Sequence, residues 1–170
     1  MSFEGKIFFV GYMLACTAGI PVAAVLMMHK LGIISEWSMN KRKDRTIPQV
    51  FTIIVYGFVS YLLLFQLKVA EVLALSMIVT TISVIIITVV TLYWKISAHS
   101  AGISGIIGIL AALQYKLPSE YGLYALMASI ILTGCVMTAR MYLHVHTPLQ
   151  VLLGFLMGLS ISFFSVYFFI

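Results

Sequence analysis

The chain has 170 residues, 62% of them hydrophobic and 9% charged, with a mean hydropathy of +1.13. Soluble domains keep roughly a quarter of their residues charged, so a water-soluble fold is excluded. An all-α integral membrane protein is expected instead, a six-helix bundle forming a single domain over residues 1–170. The net charge of +5 is no nucleic-acid signal, because the basic residues fall in short loops between apolar runs. Five acidic residues are too few for carboxylate-rich metal chemistry.

Charge-free stretches mark six spans, at 7–28, 47–67, 72–94, 100–115, 121–139 and 147–170. A bilayer core needs about 20 helical residues; the fourth run is shorter and is expected to borrow from its flanks. The first run is longer than a signal-peptide core and is retained as a helix. Pro48 and Pro148 are placed near the first turn of a span, where a missing N–H costs nothing. Pro21 lies inside the first span and should kink it, unless a neighbouring helix satisfies the freed carbonyl. Cys16 and Cys135 fall in apolar runs and read as lipid-buried thiols, with no support for a disulfide.

Six passes divide the loops between two membrane faces. One face holds both termini and the loops at 68–71 and 116–120, with Lys6, Lys68 and Lys116 balanced by Glu4, Glu71 and Glu120. The other holds residues 29–46, 95–99 and 140–146, and with them all four histidines: His29, His99, His144 and His146. It also carries Lys30, Lys41, Arg42, Lys43, Arg45, Lys95 and Arg140 against Glu36 and Asp44. This polarity has two readings. Basic loops are ordinarily cytoplasmic; alternatively, three loops assemble an anion site. With Lys43, Arg45, Lys95 and Arg140 assigned to a site, the residual charge bias no longer sets the orientation.

The local patterns favour a site. Thr147-Pro148-Leu149-Gln150 has the form of a capping box, with Thr147 as N-cap and Gln150 reaching back. His146 then stands just outside a helix N-terminus, where free N–H groups and the dipole favour an anion. Arg140 ends the preceding helix. In "KISAHSAG", Ser97 or Ser100 can cap the fourth span and bring His99 to another helix start. "NKRKDRTIP" adds cations before the second span. Cations and hydroxyls thus feed into three helix starts on one side of the membrane, as parts of one phosphate pocket.

"ARMYLHVHTPLQVLLGF" resembles the third signature of the type 2 phosphatidic acid phosphatase (PAP2) superfamily: Ser-Arg, five residues, His, three residues, Asp. Arg140 and His146 keep that spacing, and Gly154 continues it. "ISAHSAG" resembles the second signature, Pro-Ser-Gly-His, through Ser97 and His99, one helical hairpin upstream. "KRKDRTIP" is similar to the first signature only loosely, since its arginine does not adjoin Pro48. The resemblance implies that His146 attacks phosphorus to form a phosphohistidine and that His99 protonates the leaving group. It also implies that Arg140, Ser97 and a first-cluster cation, Arg45 or Lys43, hold the phosphoryl oxygens, with no metal or other cofactor; Lys95 joins them through the anion-site reading of the charge.

The departures are specific. Gln150 stands where the family has aspartate, Ala139 replaces the leading serine, and Ile96-Ser97-Ala98-His99 replaces Pro-Ser-Gly-His. A glutamine oxygen can fix the tautomer of His146 in a supporting role, but it cannot stabilise a positive ring. An aspartate-to-asparagine change in a serine-protease triad costs about 10⁴ in turnover. Asp44 and Glu36 lie on the right face to supply a carboxylate.

Two functions follow. The first is a membrane lipid phosphatase, acting without metal on a lipid phosphate or diphosphate. The alternative is a catalytically impaired relative that binds lipid headgroups or serves as a membrane scaffold. The expected partners are the lipid phosphate and the bilayer; nucleic acid is not among them, and an oligomer has no support. The expected location is a bacterial inner membrane. The resemblance puts the site on the extracytoplasmic face, and the raw charge bias puts it on the other.

Other residues have plainer readings. His144 reads as a helix-end polar residue, His29 as a side chain reaching the interface, and Lys41 and Arg42 as headgroup contacts. A metal held by His99, His144 and His146 has only weak support in their spacing. Gly102, Gly105 and Gly108, with Gly154 and Gly158, are expected to pack the fourth span against the sixth.

Overall fold

A computed structural model describes residues 3–35, 42–67 and 71–169. Among these residues all regular structure is helical. α1 (Phe3–Leu14) and α2 (Ile20–Lys30) make the first span, joined by one turn of π-helix at Ala15–Gly19. α3 (Arg42–Tyr61) ends in a second π turn, Leu62–Gln66; α4 (Glu71–Tyr93), α5 (Ala98–Lys116), α6 (Glu120–Tyr142) and α7 (Pro148–Phe169) follow. Six helical segments are long and apolar enough to cross a bilayer, making this an integral membrane protein. The fourth, Ala98–Lys116, reaches 19 residues by taking in both flanks.

Pro21 is accommodated rather than merely tolerated. It lacks the N–H that the carbonyl four residues earlier would receive, and the π turn lies directly before it. That freed carbonyl, on Thr17, accepts the Tyr56 hydroxyl of α3 at 2.7 Å. A hydrocarbon interior offers no water to do the same, so the bond both repairs the break and ties the first span to the second. Cys16, Val59, Leu63, Ala74 and Met77 pack around this junction.

Pro48 departs from expectation. α3 begins at Arg42, so this proline lies inside the helix and not at its first turn. The apolar signal starts only after the basic run, yet the run itself is helical, because its start is anchored. Ser35 donates its N–H and its hydroxyl to the buried Asp44 carboxylate, at 3.2 and 2.7 Å.

α5 and α7 are the most closely packed pair. Without a hydrophobic drive between lipid-immersed helices, close backbone approach and dispersion hold them together. A Cβ added at Gly154 would stand 2.6 Å from the Ser97 carbonyl oxygen, and one at Gly108 would stand 2.6 Å from that of Leu159. At Gly158 it would collide with the Ala101 carbonyl. Gly102 is no part of this seam; a Cβ there meets nothing within 4 Å. Ile87, Ile96 and Ala101 form a second buried cluster beside the seam, on the histidine-bearing face. Both cysteines are free, Cys16 buried and Cys135 exposed at the bundle surface.

Candidate functional site

The site is built around the start of α7. Thr147 and Gln150 close the capping box: the Gln150 N–H donates to Thr147 Oγ1 at 3.4 Å, and the Thr147 N–H donates to Gln150 Oε1 at 3.2 Å. The same Oε1 lies 3.2 Å from His146 Nδ1. An oxygen that receives a backbone N–H must also be the acceptor for the ring, so Nδ1 carries the proton. Hydrogen positions follow here from the network, and the result leaves the Nε2 lone pair free.

The turn before it is shaped by the end of α6. The Leu143 N–H donates to the Ala139 carbonyl at 3.0 Å, and that of His144 to Met141 at 2.9 Å. His144 adopts φ 52°, the left-handed conformation that usually falls to glycine at a helix end. Arg140 occupies the last helical turn, where the dipole favours a cation. Its Nε is buried and, among the described residues, has no hydrogen-bond partner.

The α4–α5 connection supplies the facing wall. Ile96 is buried in the core, which leaves its neighbour Lys95 at the half-buried edge. Ser97 caps α5, accepting the Ser100 N–H at 3.3 Å and the Ser100 hydroxyl at 2.8 Å. Both serines are fully buried. The Ser97 N–H donates to the Gln150 carbonyl at 3.3 Å, joining the two helix starts through main chain.

Lys95, His144, His146, Thr147 and Gln150 line a hollow of about 530 Å³ at the membrane surface. Burial pushes His146 down to about 4, opposed by the Gln150 hydrogen bond and reinforced by the charges of Lys95, Arg140 and Arg45. Lys95 is lowered first by burial, then by Arg45 and Arg140. Among the described residues no carboxylate offsets these cations at His146. A neutral imidazole with one free nitrogen therefore faces several positive charges, an arrangement suited to receiving an oxyanion.

The candidate residues divide as follows. Lys95, His146 and Gln150 line the surface hollow, and Arg140 and Arg45 act on it through their charge. Ser97 is adjacent through its backbone, with its hydroxyl oxygen engaged as a cap. His99 is the second residue of α5, on the same membrane face, but its ring opens into a different cavity. The Arg140 charge acts on both rings. The side chains of Lys41, Arg42 and Lys43, and all of Glu36, lie outside the described residues. Asp44, a possible replacement carboxylate, is engaged with Ser35, whereas His146 Nδ1 is held by Gln150. His29 Nδ1 lies 3.1 Å from the Ile34 carbonyl, within its own loop.

Sequence reasoning missed the cavity that His99 enters. It measures about 630 Å³ and is walled by α2, α3, α4, α5 and Ser162 of α7. Its signal was present as polar residues at helical spacing within apolar spans: Gln49, Thr52 and Tyr56 on α3, Thr80 and Ser83 on α4.

Residues 93–170 match the family model described as the PAP2 superfamily. No curated protein and no solved structure matches the chain. The matched segment contains α5, α6 and α7, hence both histidine-bearing helix starts, Arg140 and the glycine seam. The chemistry of that family is of phosphatase type, on phosphate esters. Over residues 93–170 the chain is thus similar to the PAP2 superfamily.

Proposed function

We propose that the protein is a membrane phosphatase that hydrolyses a lipid phosphate or diphosphate through a phosphohistidine on His146. The observation that carries this reading is the convergence of Arg140, Lys95 and Arg45 on a neutral His146 whose Nδ1–H is held by Gln150. Phosphoryl transfer depends mainly on positioning and on neutralising the equatorial oxygens. Guanidinium and ammonium groups supply that charge here, with Lys43 as a further contact and Ser97 holding the adjoining helix start in place. His146 Nε2 attacks phosphorus as the ester P–O bond breaks, and His99 gives its proton to the departing alkoxide. Water then attacks phosphorus and gives a proton to His99, the P–N bond breaks to restore His146, and inorganic phosphate leaves. Imidazole can serve both roles near neutral pH. We place the enzyme in a bacterial inner membrane with the site on the extracytoplasmic face, following the family resemblance. Accessibility of a tag in the 29–46 loop tests that placement.

Purified protein is expected to release phosphate from mixed lipid phosphates, insensitive to chelators, and His146→Ala to lower the rate roughly 10³-fold or more. Turnover that survives His146→Ala overturns the mechanism. A second reading, a headgroup binder without turnover, is favoured by Gln150, whose neutral oxygen stabilises a positive ring less than a carboxylate does. It holds if the wild type binds lipid phosphate and releases none.

A further inference from the structure

The 630 Å³ cavity lies within the membrane-spanning part of the bundle. At the end nearest the surface hollow stand His99 and Gln49, the latter one helical turn beyond Arg45. Along α5 the lining runs from His99 to Ile109. At 1.5 Å per residue this is about 15 Å, half of a hydrocarbon core of about 30 Å, and so the depth of one leaflet.

Four hydroxyls along the wall are spent on backbone carbonyls. Thr52 donates to the Pro48 carbonyl, Thr80 to Ser76 and Ser83 to Val79, at 2.8 Å each. Tyr56 donates to Thr17. With these donors spent, and Gln49, His99 and Ser162 the remaining polar side chains of the lining, the wall presents mostly apolar surface, which suits hydrocarbon.

We propose that this cavity holds one hydrocarbon chain of the phosphate-bearing lipid, and that it excludes a two-chain lipid. The inference rests on the phosphatase reading for the identity of the headgroup, and on the cavity alone for the chain. At about 30 Å³ for each water-sized group, the space takes roughly 20 chain carbons, enough for one long alkyl or isoprenoid chain and too few for two. Charge complementarity sets the direction: the anionic head belongs beside Arg140, whose charge acts on the His99 ring at the mouth.

Gly102 provides a clean test. It is exposed to the cavity, and an added Cβ meets nothing within 4 Å, so Gly102→Leu plugs the space without disturbing the seam. Gly134→Leu adds the same bulk at an exposed, open position on α6. Full-length protein in detergent is incubated with hexadecyl phosphate or dipalmitoyl phosphatidic acid, and retained lipid is measured by native mass spectrometry. Hydrolysis of phenyl phosphate, which has no tail, is followed in parallel.

Wild type and Gly134→Leu are expected to retain hexadecyl phosphate in preference to the two-chain lipid. Gly102→Leu is expected to retain it roughly tenfold less, the scale on which a hydrocarbon pocket discriminates, with phenyl phosphate hydrolysis unchanged. Equal retention of hexadecyl phosphate by wild type and Gly102→Leu overturns the proposal. Retention of the two-chain lipid as tightly as the single-chain one overturns the exclusion. If no variant hydrolyses phenyl phosphate, the phosphatase reading falls, and the retention result still decides on the cavity.

Discussion

α5 and α7 start on the same membrane face with the same device, a hydroxyl residue capping free N–H groups, and each carries a histidine beside the cap. The outcomes differ. His146 precedes its cap, Thr147, and is fastened by Gln150 Oε1 at the surface hollow. His99 follows its cap, Ser97, and opens into the cavity inside the bundle. A shift of a few positions around a helix start thus decides whether an imidazole is fastened at the surface hollow or opens into the cavity inside the bundle. The cap of the first is exposed and that of the second fully buried.

The comparison breaks most completely if the two starts are pushed apart. Gly158→Leu drives a side chain into the Ala101 carbonyl at the seam, and backbone cannot yield as a flexible side chain does. Destabilisation of about 3 kcal/mol or more is expected, read as loss of monodisperse protein or a large fall in the thermal midpoint in detergent. An unchanged midpoint contradicts the seam.

A smaller change sharpens the contrast at His146 alone. Gln150→Asp keeps an acceptor for the Thr147 N–H and adds a negative charge beside the ring. The ring, now at about 4, is expected to titrate higher, and phosphate release to rise by about tenfold or more as the developing positive ring gains a counter-charge. Histidine NMR and a phosphate assay check the two parts separately. A wild type that is inert and gains activity here supports the binder reading.

The same value predicts a pH effect on stability. An unfolded imidazole titrates near 6.5, so between about 6.5 and about 4 the unfolded chain binds a proton that the folded one refuses. Stability is full above that window and declines as pH falls through it. Gln150→Asp narrows the window from below, and the loss between about pH 7 and about pH 5 should shrink. Unfolding midpoints at the two values measure it.

The smallest expected effect concerns the turn that aims His146. His144 holds φ 52°, whereas the end of α2 uses Gly32 at φ 72°. At Gly32 the chain closes with paired bonds, Gly32 N–H to His29 and Ile33 N–H to Met28, at 3.0 and 2.9 Å. His144→Gly relieves the left-handed strain and is expected to stabilise by about 1 kcal/mol, raising the thermal midpoint slightly. A fall would mean that the His144 side chain contributes more than its backbone costs.

Much of this was legible in local pattern. The spans follow from charge-free length, the Thr147–Gln150 box from a four-residue signature, and the seam from recurring glycines. The repair of Pro21 was foreseeable only as a requirement; that Tyr56 meets it depends on how two spans are rotated against each other. The start of α3 was hidden because an anchored basic run can be helical without any apolar periodicity. Gly102 shares the spacing of Gly105 and Gly108 yet lies off the seam, and His99 shares a helix start with Ser97 yet faces another space. Both outcomes turn on helix rotation, which residue spacing alone leaves open.

One bond outlasts all these substitutions. The link from the Ser97 N–H to the Gln150 carbonyl is made by main chain, so exchanging either side chain leaves it standing, and of the natural residues only proline, at position 97, removes its donor. Reactivity can therefore be erased from this scaffold one side chain at a time without dismantling the seat beneath it. A silent descendant would inherit the architecture intact, and the way back to an active enzyme would be short.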